Sequence, residues 1–187
     1  RVVHRSVTPP LKANVEGMLE NIMAMGLETE VSLLAFDYLP ASEAVAAALA
    51  CSTDDIVQRA VRVRRLEGEP FSHLVTSVPA DVGRSSSQED LATTPLLTLL
   101  ERSGVEVSRA DQTLSATAAD AEVAGLLDVE LTAPLLRIQR IVYNQQNRPV
   151  EFITGLYRPD RYQYRMNLSR IQADKGQKSW SSSDGSG

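Results

Sequence analysis

An α+β domain around one mostly antiparallel β-sheet is the fold class this sequence predicts. Three observations carry the expectation. Segments that alternate with a two-residue period, Val57–Pro70 and Pro149–Tyr157 among them, recur along the chain. Short polar turns, Glu67-Gly68-Glu69 and Asn144-Gln145-Gln146-Asn147, join neighbouring strands as hairpins. Short helical stretches are interspersed among the strands. The chain has 187 residues, 43% hydrophobic and only 5% aromatic, so one domain with a core of Leu, Val, Ile, Ala and Met is expected.

The elements follow in order. Residues 1–11, with Thr8-Pro9-Pro10, read as a linker, because paired prolines favour extended backbone. From Asn14, a capping residue, Val15, Met18, Leu19, Ile22 and Met25 recur at helical spacing until Gly26. This Met-rich stripe fits core or dimer packing. Val31–Tyr38 is a strand ended by Pro40, and a helix capped by Ser42 runs to Ala50. The Arg62/Arg64 strand turns at Glu67–Glu69 and returns from Phe71 to Val78, where Pro79 closes it. The polar stretch Ala80–Leu91, with Ser85-Ser86-Ser87, is expected to be a mobile loop.

Thr94-Pro95 predicts a helix start, since Thr caps and proline at the first helical position sacrifices no hydrogen bond. Leu96, Leu97, Leu99 and Leu100 form its buried side and Gly104 ends it. Val105–Thr117 is extended, Asp120–Leu127 is a short helix, and Leu135–Tyr143 is a strand joined by the polar turn to the Glu151 strand. A last strand runs from Tyr162 to about Ser169. The tail beyond Gln172, to Gly187, has little to bury and is expected to be disordered.

The bulk numbers narrow the function. Nineteen Lys and Arg against 24 Asp and Glu give a net charge of −5, which opposes duplex binding by this segment itself. No apolar run approaches a membrane span and no signal-peptide pattern opens the chain, so a cytoplasmic protein is expected. Cys51, the single cysteine, can form no internal disulfide and reads as a small buried hydrophobe. The chain opens on Arg1 rather than Met, and a further segment is expected upstream.

Two strands hold the chemistry. Arg62 and Arg64 share one face, with Val61 and Val63 on the other, and two guanidiniums two residues apart make a fork for an anion. Glu151, Ile153, Gly155 and Tyr157 project one way, and Val150, Phe152, Thr154 and Leu156 the other. The blander reading is that one arginine pairs with a neighbour such as Glu151.

Several pieces are found together: Arg62-Val63-Arg64, then Gly68-Glu69-Pro70 closing at Pro79, then Thr94 to Gly104, then Pro149-Val150-Glu151 and Tyr157-Arg158-Pro159-Asp160-Arg161-Tyr162. Their order and spacing resemble the effector-binding module, called UTRA, that follows the winged helix in GntR-type bacterial transcription regulators of the HutC subfamily. The resemblance covers roughly residues 12 to 170. It implies a chorismate lyase-like fold over 12–172, with 1–11 as a linker remnant and 173–187 as a disordered tail.

It also implies roles. Arg62 and Arg64 would hold the anionic group of the effector, often a sugar phosphate. Glu151 and Tyr157 would hydrogen-bond its polar body, and Thr94 would offer a hydroxyl at a helix start. Thr113 and Ser115 are further candidates whose strand could show them either to the pocket or to solvent. Leu74 stands where a Glu is frequent and Leu96 where a Tyr is frequent, which makes the cavity greasier and points to a smaller or more apolar anion such as a carboxylic acid. His73 beside Leu74 reads as a surface or core histidine, and Arg158, Asp160, Arg161 and Tyr162 as a structural network.

The function implied is a ligand-sensing homodimer whose small anionic metabolite modulates DNA binding by an upstream winged-helix domain not present in this chain. No catalytic residue, metal or cofactor is expected. Two alternatives are a cofactor-free chorismate lyase-like enzyme, in which Glu151 assists loss of pyruvate, and a dimerisation domain with a vestigial pocket.

Overall fold

The computed structural model describes residues 11–13, 30–164, 168–172 and 178–182, with side chains over 30–164. The helix expected from Asn14 to Gly26 lies outside the described residues. Six strands form the central sheet: β2 (Glu30–Pro40), β3 (Ile56–Leu66), β4 (Glu69–Pro79), β5 (Val107–Ala118), β6 (Pro134–Asn144) and β7 (Pro149–Tyr157). Their order is β2-β3-β4-β7-β6-β5, and every neighbouring pair is antiparallel. The α+β expectation holds. The β3–β4 turn places Glu67 and Gly68 at φ of 52° and 80°, the left-handed pair that matches the twist of a two-residue hairpin.

Helices cover both faces of the sheet. On one, α3 (Gln88–Thr93) and α4 (Leu96–Arg102) bring Leu91, Leu96, Leu99 and Leu100 onto Ala60 and Val78, while Leu97 meets Val142. On the other, α1 (Glu43–Leu49) packs Ala46 and Leu49 against Val57 and Phe152. Beside it, α5 (Ala121–Leu127) packs Val123, Ala124 and Leu127 against Leu135 and Leu156. Ser42 caps α1, Ala50 ends it in the left-handed conformation, and Asp120 caps α5. Val150 departs from strict alternation. Near the register shift between Val142 and Tyr143 it packs with Leu97 and Val142.

Three segments differ from the sequence expectation. The stretch 80–91 is no loose loop: it contains α2 (Ala80–Gly83) and the start of α3. A reciprocal capping box joins Ser87 and Asp90. The buried Gln58 amide donates to the Gly83 carbonyl at 2.6 Å and to the Ser86 carbonyl at 3.4 Å, so a polar side chain in the sheet pins the segment from below.

The second difference lies at Thr94, which does not cap α4. Pro95 is the N-cap and no side chain bonds there, whereas Thr94 closes α3, its N–H donating to the Asp90 carbonyl at 2.7 Å. The third difference is at the C-terminal end. The strand expected from Tyr162 to Ser169 is two strands, β8 (Tyr162–Tyr164), parallel to β1 (Leu11–Ala13), and β9 (Leu168–Gln172). Within the expected tail, β10 (Lys178–Ser182) pairs antiparallel with β9. A backbone ladder needs no apolar residues, so low hydrophobicity did not exclude it.

Candidate functional site

The α3–α4 face of the sheet carries the candidate site. Directly opposed residues of antiparallel strands share a face, and the register sets Arg62 beside Leu74, then Gly155 and Ile138. The next row holds Arg64, Ser72, Tyr157 and Leu136, and the row on the other side holds Ala60, Thr76, Ile153, Arg140 and Gln112. Glu151 opposes Val142. Apart from Val150, the expected face partition of both strands, with Arg62 and Arg64 on the same side as Glu151 and Tyr157, is what the register gives.

Burial is deep. Arg62 is 2% exposed, Arg64 5%, Glu151 6% and Arg140 8%. Arg62, Arg64, Arg140 and Glu151 line one small space, and its remaining walls are Leu96, Leu97, Val142 and Ile153. In this conformation the space is about 20 Å³, room for about one water molecule and for no metabolite.

The guanidiniums are poorly satisfied. Arg62 donates from Nη2 to the Thr76 hydroxyl at 3.3 Å, but the Nε atoms of Arg62 and Arg64 have no partner. Among the described residues no ion pair within 4 Å joins Glu151 to an arginine. The simple Arg–Glu151 pairing that the sequence allowed is not formed. Arg140 is held by the amide of Gln112, whose Oε1 accepts from Nε at 2.9 Å and Nη2 at 2.5 Å.

Proton affinities record the same strain. Burial, then the like charge of Arg64, pulls the Arg62 guanidinium down to about 10. Burial also lowers Arg64 and raises the Glu151 carboxyl, although Arg62, Arg140 and Arg64 all oppose the rise. The Tyr157 phenol is raised for the same reason.

Tyr157 stands in the Arg64 row, stacked on Tyr162 with ring centroids 4.5 Å apart. Its ring lies over Gly155, where a Cβ would meet Tyr157 Cε2 at 2.5 Å; glycine makes the approach possible. Thr94 is half-buried and does not line the cavity. Ser115 and Thr113 face away from it, opposed to Arg137 and Gln139, and both are exposed. His73 is buried on the opposite face from Leu74, its Nε2 without a partner. Arg158 bridges Asp160 and the carbonyls of Pro70 and Leu127, and Arg161 pairs with Glu69. These are turn-fastening contacts, as the sequence suggested.

Sequence reasoning missed Arg140, its Gln112 tether and the buried Ser72 hydroxyl, which lacks a partner. A signal for Arg140 existed: it shares its strand phase with Ile138 and Val142, an arginine on an apolar face.

Comparison with known proteins fixes the class. The UTRA domain profile matches residues 24–163. The chain belongs to the UTRA domain family, the effector domains of GntR-family transcriptional regulators. The ligand-binding domain of a GntR-family regulator from Bordetella bronchiseptica is 35% identical, covering 76% of this chain and 91% of that one with a TM-score of 0.70. The effector domain of PhnF from Mycobacterium smegmatis shares the fold, with a TM-score of 0.73 over 83% of this chain and 97% of that one at 24% identity. The HTH-type transcriptional repressor NagR of Bacillus subtilis (strain 168) is 24% identical over 166 residues, 87% of this chain and 68% of NagR. The HTH-type transcriptional regulator Rv0792c of Mycobacterium tuberculosis matches over 91% of this chain but 64% of its own length. No helix among the described residues is long and apolar enough to cross a membrane.

Proposed function

We propose that this chain is the ligand-sensing and dimerisation domain of a HutC-type regulator, and that a small anionic metabolite held by Arg62 and Arg64 modulates DNA binding by a winged-helix domain outside it. One observation carries the reading: three buried guanidiniums share a site with a single carboxylate that pairs with none of them. Burying an unpaired charge costs several kcal/mol unless a partner arrives, and an anionic ligand is that partner.

A cavity this small suits a switch. Admitting a metabolite requires Leu96 and Leu97 on α4 to move away from the sheet, so the ligand binds one arrangement of α4 and not the other. Such differential affinity is what allows an effector to shift an equilibrium. Two-fold operators call for two-fold proteins, hence the homodimer, and a DNA-binding regulator of this kind works in the cytoplasm. Glu151 and Tyr157, on the same face of the sheet as the two arginines, flank the ligand; catalysis forms no part of the role.

Operator binding by the intact regulator, followed by fluorescence anisotropy against a panel of anionic metabolites, tests the proposal. One compound should change operator affinity, and Arg62→Ala should abolish the response while leaving ligand-free DNA binding intact. An unchanged response in Arg62→Ala would indicate a vestigial pocket. Chorismate turnover that disappears in Glu151→Gln would overturn the sensor reading in favour of an enzyme.

A further inference from the structure

Every charged side chain that is buried among the described residues stands in this one site. Three are cations and one is an anion, so with Glu151 ionised the site holds an excess of two positive charges; protonating Glu151 would make it three. The neutral Gln112 fixes the position of Arg140 but cancels none of its charge.

The excess is contributed from two strands on opposite sides of the site. Arg62 and Arg64 rise from β3 and Arg140 from β6, with β4 and β7 between them. Three strand spacings separate their backbones, about 14 Å. Besides the arginines the space is lined by the aliphatic side chains of Leu96, Leu97, Val142 and Ile153 and by the Glu151 carboxylate from β7, and no hydroxyl or amide lines it. A sugar body would bring a ring of hydroxyls against these walls with the Glu151 carboxylate as the one lining acceptor, leaving the others without partners at a penalty for each. A short carbon chain would not.

Resting on the effector reading above, we propose that the ligand is a short dicarboxylic acid, one carboxylate on Arg62 and Arg64 and the other on Arg140, and that Arg140 selects for the second anionic group. Each charged end then gains charge-assisted hydrogen bonds that the empty site lacks. The aliphatic walls hold the methylene spacer, and the two charges of the ligand balance the excess.

The test is thermal-shift and calorimetric titration of the chain at pH 7.5 with carbon-matched acids: malonate against propionate, succinate against butyrate, glutarate against valerate. Inorganic phosphate is the third probe. At least one dicarboxylate should bind about tenfold tighter or more than its monocarboxylate match, the value of one charged hydrogen bond. Arg140→Gln should collapse that ratio. Gln112→Glu provides a nearly isosteric second variant in case Arg140→Gln fails to fold: it pairs Arg140 with a carboxylate of the protein, lowers the excess to one charge, and should collapse the ratio too.

A preference that survives Gln112→Glu, or no preference in any matched pair, overturns the dicarboxylate proposal. Phosphate binding that is lost in Arg62→Gln but indifferent to Gln112→Glu, with no dicarboxylate preference, overturns it while leaving the anion sensor standing. Failure of every probe, phosphate included, to bind overturns both.

Discussion

Replacing Arg62 with methionine should make the ligand-free protein more stable. Arg62 is buried with its Nε unpartnered, and burial together with Arg64 draws its guanidinium down from its ordinary value to about 10. At about 1.4 kcal/mol per pKa unit, the charged form carries a folded-state penalty of about 3 kcal/mol. The variant loses the hydrogen bond to Thr76, about 1 kcal/mol, but Thr76 still donates to the Ala60 carbonyl and is not orphaned. The net gain is about 2 kcal/mol, or a Tm higher by about 4–8 °C in a domain of this size. The sign with pH also follows. A base whose folded pKa lies below its unfolded value is penalised fully below the folded pKa, so the advantage of Arg62→Met should be complete below about pH 10 and shrink as pH rises above it. Urea unfolding in Tris buffer free of phosphate and carboxylates measures it. A variant less stable than wild type by more than about 1 kcal/mol would show that Arg62 is paired in the fold, and the argument from unsatisfied charge would fail.

Other substitutions probe the scaffold. Gly155→Ala sets a methyl group 2.5 Å from Tyr157 Cε2 and 3.0 Å from Leu74 Cδ2; overpacking should cost about 1–3 kcal/mol, read as a lowered Tm with altered near-ultraviolet circular dichroism from the Tyr157–Tyr162 stack. Leu100→Ala, at a residue with no exposed surface between α4 and the sheet, should cost about 2–5 kcal/mol in urea unfolding. Asp120→Ala removes the oxygen that accepts from the Val123 N–H at 2.8 Å and should cost about 1 kcal/mol. Equilibrium unfolding checks it, with hydrogen exchange in α5 rising first.

How much of this was legible in the sequence differs by element. Two-residue periodicity around Arg62/Arg64 and Glu151/Tyr157 was enough to assign faces, because one-sided burial fixes strand phase. The turn at Gly68 and the cap at Ser42 were readable because each satisfies a local backbone requirement, whereas Asp120, read as the first residue of its helix, is that helix's N-cap. Ala80–Leu91 was misjudged through its polar composition, although Ser87 and Asp90 spell a capping box; the anchoring Gln58 lies on a strand far away in sequence. Thr94 misled because two adjacent helices compete for it, and α3 takes it as its end. Within the site, Ser115 depended on a register counted across the β5–β6 pair. Arg140 was hidden for a related reason: only the strand order, with β7 inserted between β4 and β6, brings its guanidinium toward those of β3.

The most direct measurement is a thermal-shift screen of anionic metabolites on this chain, with Arg64→Ala alongside. A true ligand at about a hundred times its dissociation constant adds about 2.7 kcal/mol, a rise in Tm of about 5–11 °C. The guanidinium site predicts at least one such compound, and no shift from it in Arg64→Ala. A shift of equal size in both proteins, or none from any anion in the wild type, would contradict it.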